Sequence, residues 1–268
     1  MKDGYWVIRT YESGLVGEKI KFWVPGQKPG KKLSRRQRSD IRKAAQNEES
    51  AVRQMARLLN ANFREGDWLL GLDYSPEGML KLEYEAAGKR GGQAMLVPTA
   101  AQRMDAIRDA AGHQLVNCIR RVKRELEREG VELKYVFVTS DTNGKTGEAV
   151  RIHHHLVINR EARDAFVRKW QDKGLGGVAW SPLEKQEDYL EIAKYLLAQV
   201  RKVDGENQYT SSRNLIRPRP KDRVAASASE VRVPKGCRLL HRQEYKPGKA
   251  QYIRYRIERE RGPTEGAA

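Results

Sequence analysis

Three of the chain's five histidines stand consecutively, His153, His154 and His155, inside the apolar run AVRIHHHLVIN. Side chains alternate across a strand, so Ile152, His154, Leu156 and Ile158 share one face, while Arg151, His153, His155 and Val157 share the other. The outer two imidazoles sit about 6.5–7 Å apart at the backbone, close enough to hold one metal ion if the rings lean inward. His154 falls among apolar residues and reads as a packed ring with one satisfied hydrogen bond. An H-x-H pair is common at ordinary half-buried positions, so the pair alone does not establish a metal site. Imidazole suits zinc, copper, iron, nickel or manganese, and a hard ion such as Mg2+ calls for a carboxylate beside it. The nearest acids are Asp141, at the end of the preceding strand, and Glu148, across the turn. Asp141 is the expected third ligand, because the turn folds the end of one strand beside the start of the next.

A second reactive group lies on the segment KQEDYLEIAKYLLAQVR. On a helical wheel Tyr189, Ala193, Leu196 and Val200 form the centre of an apolar stripe. Tyr195 projects away from that stripe, in a row with Glu191, Gln199 and Lys202 at i−4, i+4 and i+7. An amphipathic tyrosine with a wet hydroxyl is the plain alternative. A phenol, with an ordinary pKa near 10, is a poor nucleophile at neutral pH unless its target is polarised, which a divalent ion does for a phosphodiester. The chain also carries 52 Lys and Arg against 35 Asp and Glu, a net charge of +17, the electrostatic footprint of a polyanion binder. Histidine pair, tyrosine and charge point to one reaction. Tyr195 would attack a DNA phosphodiester, leaving a covalent phosphotyrosine and a free 3′-hydroxyl. Because the ester is exchanged rather than hydrolysed, the strand could be rejoined without ATP.

The elements that must position these groups are readable in outline. Residues 5–24 read as two short strands, YWVIRTY and EKIKFWVPG, with a turn at Ser13-Gly14. The basic connector GQKPGKKLSRRQRSD reads as solvated, and a helix follows through IRKAAQNEESAVRQMARLLNANF. DWLLGLDYSPEG reads as a strand ending at a Ser-Pro-Glu-Gly turn. A long helix is predicted over 99–129, where Ala106, Ile107, Ala110, Ala111, Leu115, Cys118, Ile119, Val122 and Leu126 recur at three- and four-residue spacing. VELKYVFVTS and AVRIHHHLVIN form a strand pair, bridged by DTNGKTGE with its Asn143-Gly144 hairpin signal. A helix over 160–172, a strand over 175–182 and a helix over 185–201 lead to the loop SSRNLIRPRP and two closing strands, CRLLHRQEY and QYIRYRIER. Hairpin-linked strands mixed with helices place the chain in the α+β class with an antiparallel sheet.

Other classes are disfavoured. Cys118 and Cys237 are the only cysteines, in no C-x-x-C spacing, so neither a disulfide framework nor a thiolate zinc site is expected. No window approaches the ~18 apolar residues of a membrane span, and the start lacks the apolar core of a secretory signal. The chain reads as cytoplasmic, without membrane association. No G-x-x-x-x-G-K-[ST] loop occurs, so any unwinding of DNA would fall to a separate helicase.

RIHHHLVIN resembles the histidine-hydrophobe-histidine strand of the HUH endonucleases, and EIAKYLLAQ resembles the catalytic helix of their single-tyrosine rolling-circle replication initiators, the Rep proteins of plasmids, phages and mobile elements. The order of Asn60-Ala61-Asn62-Phe63, Asp73-Tyr74-Ser75-Pro76, His153 to His155, Ala193-Lys194-Tyr195 and Ser212-Arg213-Asn214-Leu215 with Pro218 is similar to a Rep-like group from bacterial mobile elements. The likeness runs over roughly residues 40–258. It implies an antiparallel sheet related to the RNA-recognition, or ferredoxin-like, fold with flanking helices. It also implies metal ligands at His153 and His155, Tyr195 as nucleophile, and Mg2+ or Mn2+ as the working ion on single-stranded DNA or an origin hairpin. The family often carries a lysine three residues after the tyrosine, where this chain has Ala198. Gln199 or Lys202 would then meet the phosphate or the metal-bound water, with Lys194, Arg213 and Arg217 as further DNA contacts. Where many members place a glutamate before the histidines, this chain has Ser140-Asp141. The expected organisation is 1–44 as N-terminal strands and connector, 45–260 as the catalytic domain and 261–268 as a tail. Rival readings are a single-tyrosine transposase or relaxase, a two-histidine-one-carboxylate iron oxygenase, and a non-catalytic single-strand-binding module.

Overall fold

Period-2 alternation in the predicted strands and three-to-four spacing in the predicted helices meet as two antiparallel sheets with helices packed on them, in a computed structural model. The structure describes residues 4–30, 34–46, 50–88, 99–143, 146–200, 207–226, 230–245 and 250–258. In chain order the elements are β1 (Gly4–Ser13), β2 (Val16–Pro25), α1 (Arg35–Gln46), α2 (Ala51–Asn62), β3 (Trp68–Asp73), α3 (Pro76–Gly88), α4 (Ala100–Arg128), β4 (Tyr135–Thr142) and β5 (Ala149–Ile158). A short 3-10 turn (Arg160–Ala162) then leads to α5 (Arg163–Gln171), β6 (Val178–Pro182), α6 (Leu190–Ala198), β7 (Thr210–Ser211), β8 (Lys221–Ala225), β9 (Cys237–Tyr245) and β10 (Ala250–Ile257). The α+β class holds.

The chain divides into two units, one of residues 1–62, 187–190 and 216–268, the other of residues 63–186 and 191–215. In the first, the sheet runs β8-β1-β2-β10-β9. The expected boundary after residue 44 is therefore not the one the chain makes. β10 pairs with β2 and β8 with β1, so the last strands complete the sheet that the first two begin. Backbone N–H and C=O groups on a strand edge need partners, and these distant segments supply them. The expected tail, 261–268, lies outside the described residues. The described end of the basic connector, from Ser34 on, opens a helix. Ser34 accepts from the Gln37 backbone N–H while Gln37 Oε1 accepts from Ser34 N–H, a reciprocal cap that starts α1 at Arg35.

The second unit holds the histidines. Its elements β3, α4, β4, β5, α5 and β6 succeed one another as β-α-β-β-α-β, and the sheet order β6-β3-β5-β4-β7 gives the connectivity of the ferredoxin-like motif. One face packs on the helices. Leu70, Leu72, Ile152, Leu156 and Ile158 from the sheet meet Ile107, Ala111, Leu115, Cys118 and Val122 of α4, with Phe166 and Trp170 of α5. Thr99 and Gln102 form a capping box at the start of α4. At its other end Gly130, at φ +73°, lets the Val131 N–H reach back to Leu126 O, closing the helix. α3 was not anticipated. Ser75 Oγ accepts from the Gly78 N–H and Pro76 takes the first helical position, where its missing N–H costs nothing. Among the described residues no helix is long and apolar enough to cross a membrane.

Candidate active site

β5 is the central strand of its sheet, and its register fixes what each histidine faces. His155 stands opposite Gly71 of β3 and Val138 of β4, His154 opposite Leu72 and Thr139, and His153 opposite Asp73 and Ser140. His154 points into the helix-packed side and is fully buried. Its Nδ1 meets Thr139 Oγ1 at 2.9 Å and its Nε2 meets the Tyr74 hydroxyl at 2.9 Å. Tyr74 in turn donates to Ala111 O at 3.2 Å. Both ring nitrogens are thus satisfied, one more than expected. Burial, then the charges of His153, His155 and Arg108, push the His154 pKa down to about 3, so it is a neutral core residue.

The other two imidazoles emerge on the opposite face. Their rings lie 4.9 Å apart, edge to face. His153 Nδ1 sits 2.9 Å from Arg151 O and donates to it, which leaves the Nε2 lone pair facing outward. Gln199 Oε1 lies 3.0 Å from His155 Nε2 and 3.5 Å from His153 Nε2, while Gln199 Nε2 donates to Tyr195 O at 3.4 Å. The Gln199 carbonyl accepts from Ser140 Oγ at 2.6 Å and Thr142 Oγ1 at 3.1 Å. Two hydroxyls of β4 therefore pin the residue that follows α6. Burial first, and then the neighbouring His153, lower the His155 pKa, against the hydrogen bond to Gln199 Oε1 and the charge of Asp73. A neutral imidazole keeps the lone pair that a metal needs.

Tyr195 stands over this pair. Its ring centroid is 5.3 Å from that of His155 and it is 48% exposed. α6 turns Ala193, Leu196 and Leu197 inward, as the wheel predicts, and one turn separates Tyr195 from Gln199. Tyr189 is buried and precedes the helix.

Asp141 is not part of this cluster. The β4–β5 register shifts between Ser140 and Thr142, and both of those hydroxyls face Gln199, so the intervening Asp141 turns to the α4 side. There it is buried against Arg108, Nη1 to Oδ2 at 2.5 Å. Arg108 also donates to Thr139 O. The alternative acid, Glu148, is held at the turn by Thr146, whose hydroxyl donates to it at 3.0 Å. Among the described residues no third histidine, cysteine or carboxylate completes a ligating group with the pair. Gln199, expected to meet the phosphate or the metal-bound water, has its Oε1 beside both Nε2 atoms. Two imidazole nitrogens and an amide oxygen form a mixed N/O set that fits a divalent ion. The Nε2 of His153 faces Gln199 Oε1 lone pair to lone pair, a contact that a shared cation would relieve.

The expected DNA contacts scatter. Lys194 is paired with Glu191 at 2.7 Å on the exposed side of α6. Arg213 lies beside Tyr135, at the end of β4 opposite Ile158 and so far along the sheet from His153. Arg217 belongs to the other unit, and Lys202 lies outside the described residues. Arg151 is not among the expected contacts. It is exposed, shares the face of His153 and His155 by alternation, and is anchored through Nη1 to Tyr74 O at 3.2 Å. The remaining motif residues are joints. Asn60 Oδ1 accepts from the Tyr189 N–H, Asn62 exchanges hydrogen bonds with both backbone groups of Ile216, and Ser212 Oγ accepts from the Tyr135 N–H.

Comparison with known proteins returns nothing: no family model, no curated protein and no solved structure matches this chain.

Proposed function

We propose that this chain nicks and rejoins single-stranded DNA by tyrosine transesterification at a divalent-metal centre, the reaction with which rolling-circle replication begins. The observation that carries the reading is the convergence of His153 Nε2, His155 Nε2 and Gln199 Oε1 with the ring of Tyr195 on the exposed side of one sheet. In the reaction Tyr195 Oη forms a bond to phosphorus while the bond from phosphorus to the 3′ oxygen breaks. The phenolic proton leaves to water and the 3′ oxygen takes one up. The 5′-phosphate stays esterified to the tyrosine, and attack by a 3′-hydroxyl reverses the sequence. His153, His155 and Gln199 would hold a divalent ion, Mn2+ more readily than Mg2+ because imidazole suits it and no carboxylate joins the set among the described residues, and when bound it would polarise the scissile phosphodiester and offset its developing charge. Arg151 adds a fixed cation on the same face. Gly71, opposite His155, places no side chain there, and the nearest side-chain atoms to a Cβ at that position would be 3.9 Å away, so the face beside the ring is open to a nucleotide.

A denaturing gel tests this. With a labelled single-stranded oligonucleotide library and Mn2+, the wild-type chain is expected to form an adduct that survives denaturation and chelator. Tyr195→Phe removes it and Tyr189→Phe retains it. An adduct that persists in Tyr195→Phe would overturn the assignment. Fe(II)-dependent turnover indifferent to Tyr195 would favour an oxygenase instead.

A further inference from the structure

In the second unit, Val122 and Leu126 of α4 and Phe166 and Trp170 of α5 turn inward to the core. The outward residues of the same two helices border a cavity of about 400 Å3, walled by Arg121, Arg124 and Arg128 of α4, by Lys169 of α5 and by Lys173 just beyond it. We propose that this cavity is a phosphate-binding site for the backbone of duplex DNA, on the opposite side of the sheet from His153 and His155. That the polyanion is DNA rests on the nicking reading; the phosphate site itself does not.

The wall sets those five cations against two acids, Glu125 and Asp172, and Glu125 is already shared between Arg168 and Lys169. Asp164 pairs with Arg163 at 2.7 Å, and Glu129 lies by Arg168, both outside the wall. Arg128 and Lys173 are exposed, and among the described residues neither side chain makes a hydrogen bond or an ion pair. Arg124 bonds only its own helix, Nε to Arg120 O at 3.2 Å, which leaves its two terminal nitrogens for a ligand. Arg121 is half-buried beside Cys118, and its Nη2 reaches Lys169 O at 3.4 Å, a cation fixed in place. A helix C-terminus also attracts cations, which accounts for Lys169 and Lys173 at the end of α5. That effect falls off within the last turn, whereas Arg121 and Arg124 stand about two turns and one turn before α4 ends at Arg128.

Length and composition select the occupant. Arg121 and Arg128 lie about 10.5 Å apart along the helix axis, a stretch over which a duplex presents about six phosphate charges. Pockets for small ligands are mostly apolar, and single-strand sites carry aromatic rings on which bases stack. Every residue of this wall is charged, so it has neither a ring for a base nor an apolar side chain to enter a bilayer. Cations without a stacking ring meet the backbone and leave the bases unread.

The test uses the full chain with Tyr195→Phe and no metal, so that binding is read apart from chemistry. By fluorescence anisotropy on a labelled blunt duplex, adding Arg124→Gln and Arg128→Gln together is expected to lower the slope of log affinity against log salt by about 1.8, the share of two phosphate contacts on B-form DNA. Binding should weaken by the same factor on two duplexes of unrelated sequence. Both side chains are exposed, so the melting temperature should hold. Lys123→Gln removes an equal charge from α4 outside the cavity, where Lys123 pairs with Glu127 at 3.5 Å and lies by Tyr135, and should leave the slope as it was. An unchanged slope in the double variant, or an equal drop per charge in Lys123→Gln, would overturn the site. Displacement of the duplex by millimolar inorganic phosphate at constant ionic strength would make it a small-anion pocket instead, and displacement by polyglutamate at lower concentration than by unlabelled duplex would assign it to an acidic protein. If the chain with Tyr195 intact makes no covalent adduct yet shows the slope that depends on Arg124 and Arg128, the nicking reading fails and the phosphate site stands. An adduct with an unchanged slope removes the phosphate site alone.

Discussion

His154 and His155 are adjacent copies of one residue, and the sheet gives them opposite tasks. On the helix side, His154 has both nitrogens bonded within the protein and its charge suppressed by burial. On the exposed side, His153 and His155 turn their Nε2 atoms toward one amide oxygen, with a tyrosine ring alongside. Alternation alone makes the difference, since a step of one residue along β5 crosses the sheet. The same rule separates Ser140 and Thr142, which hold Gln199, from Asp141, which holds Arg108.

That contrast can be broken experimentally. The largest effect is expected from His153→Ala combined with His155→Ala, which should reduce adduct formation by about a hundredfold or more, as loss of an ion worth several kcal/mol of charge stabilisation implies. The melting temperature should change little, because both rings face the open side. His154→Ala should do the opposite. It leaves a cavity and takes from Tyr74 and Thr139 the ring nitrogens they bond, costing about 2–4 kcal/mol in denaturant unfolding, while adduct formed per folded molecule stays near wild type. A double histidine variant that unfolds, or a His154 variant that folds normally but cannot react, would break the division of labour. Asp141→Asn removes the charge that Arg108 is paired with and should cost about 1–3 kcal/mol, again without loss of adduct.

The smallest effect is in pH. The folded-state pKa of His154, about 3, lies below its unfolded value near 6.5. Below pH 6.5 the unfolded chain binds more protons, so stability falls as pH drops from there toward 3, by at most about 1.4 kcal/mol per unit. Burial shifts His155 in the same direction. Unfolding measured in chelator from pH 7 to 5 should show this slope in the wild type and a shallower one in His154→Gln. Equal slopes would mean that His154 is not held neutral by the fold.

The faces of β5, the extent of α4 and the outward turn of Tyr195 were legible in the sequence, because each follows from local periodicity. Three features were not. The role of Asp141 depends on Arg108 of α4 reaching it, a long-range contact that no alternation pattern announces. Gln199 was recognised as Tyr195's neighbour at i+4, yet only the Ser140 and Thr142 hydroxyls bring its amide to the histidines. The division of the chain was also hidden, since it depends on strands more than 200 residues apart, Val16 facing Arg256. By contrast α3 was missed despite local signals, a serine cap followed by proline at the first helical position, because Ser-Pro-Glu-Gly also spells a turn.

Sequence proximity nominates Asp141 as the third ligand and the folded chain nominates Gln199, so one measurement decides between them. Mn2+ binding, followed by the loss of the free-ion electron paramagnetic resonance signal, should show one site per chain that survives in Asp141→Asn and is weakened at least tenfold in Gln199→Ala. Binding lost in the Asn variant and intact in the Ala variant would contradict the site described here.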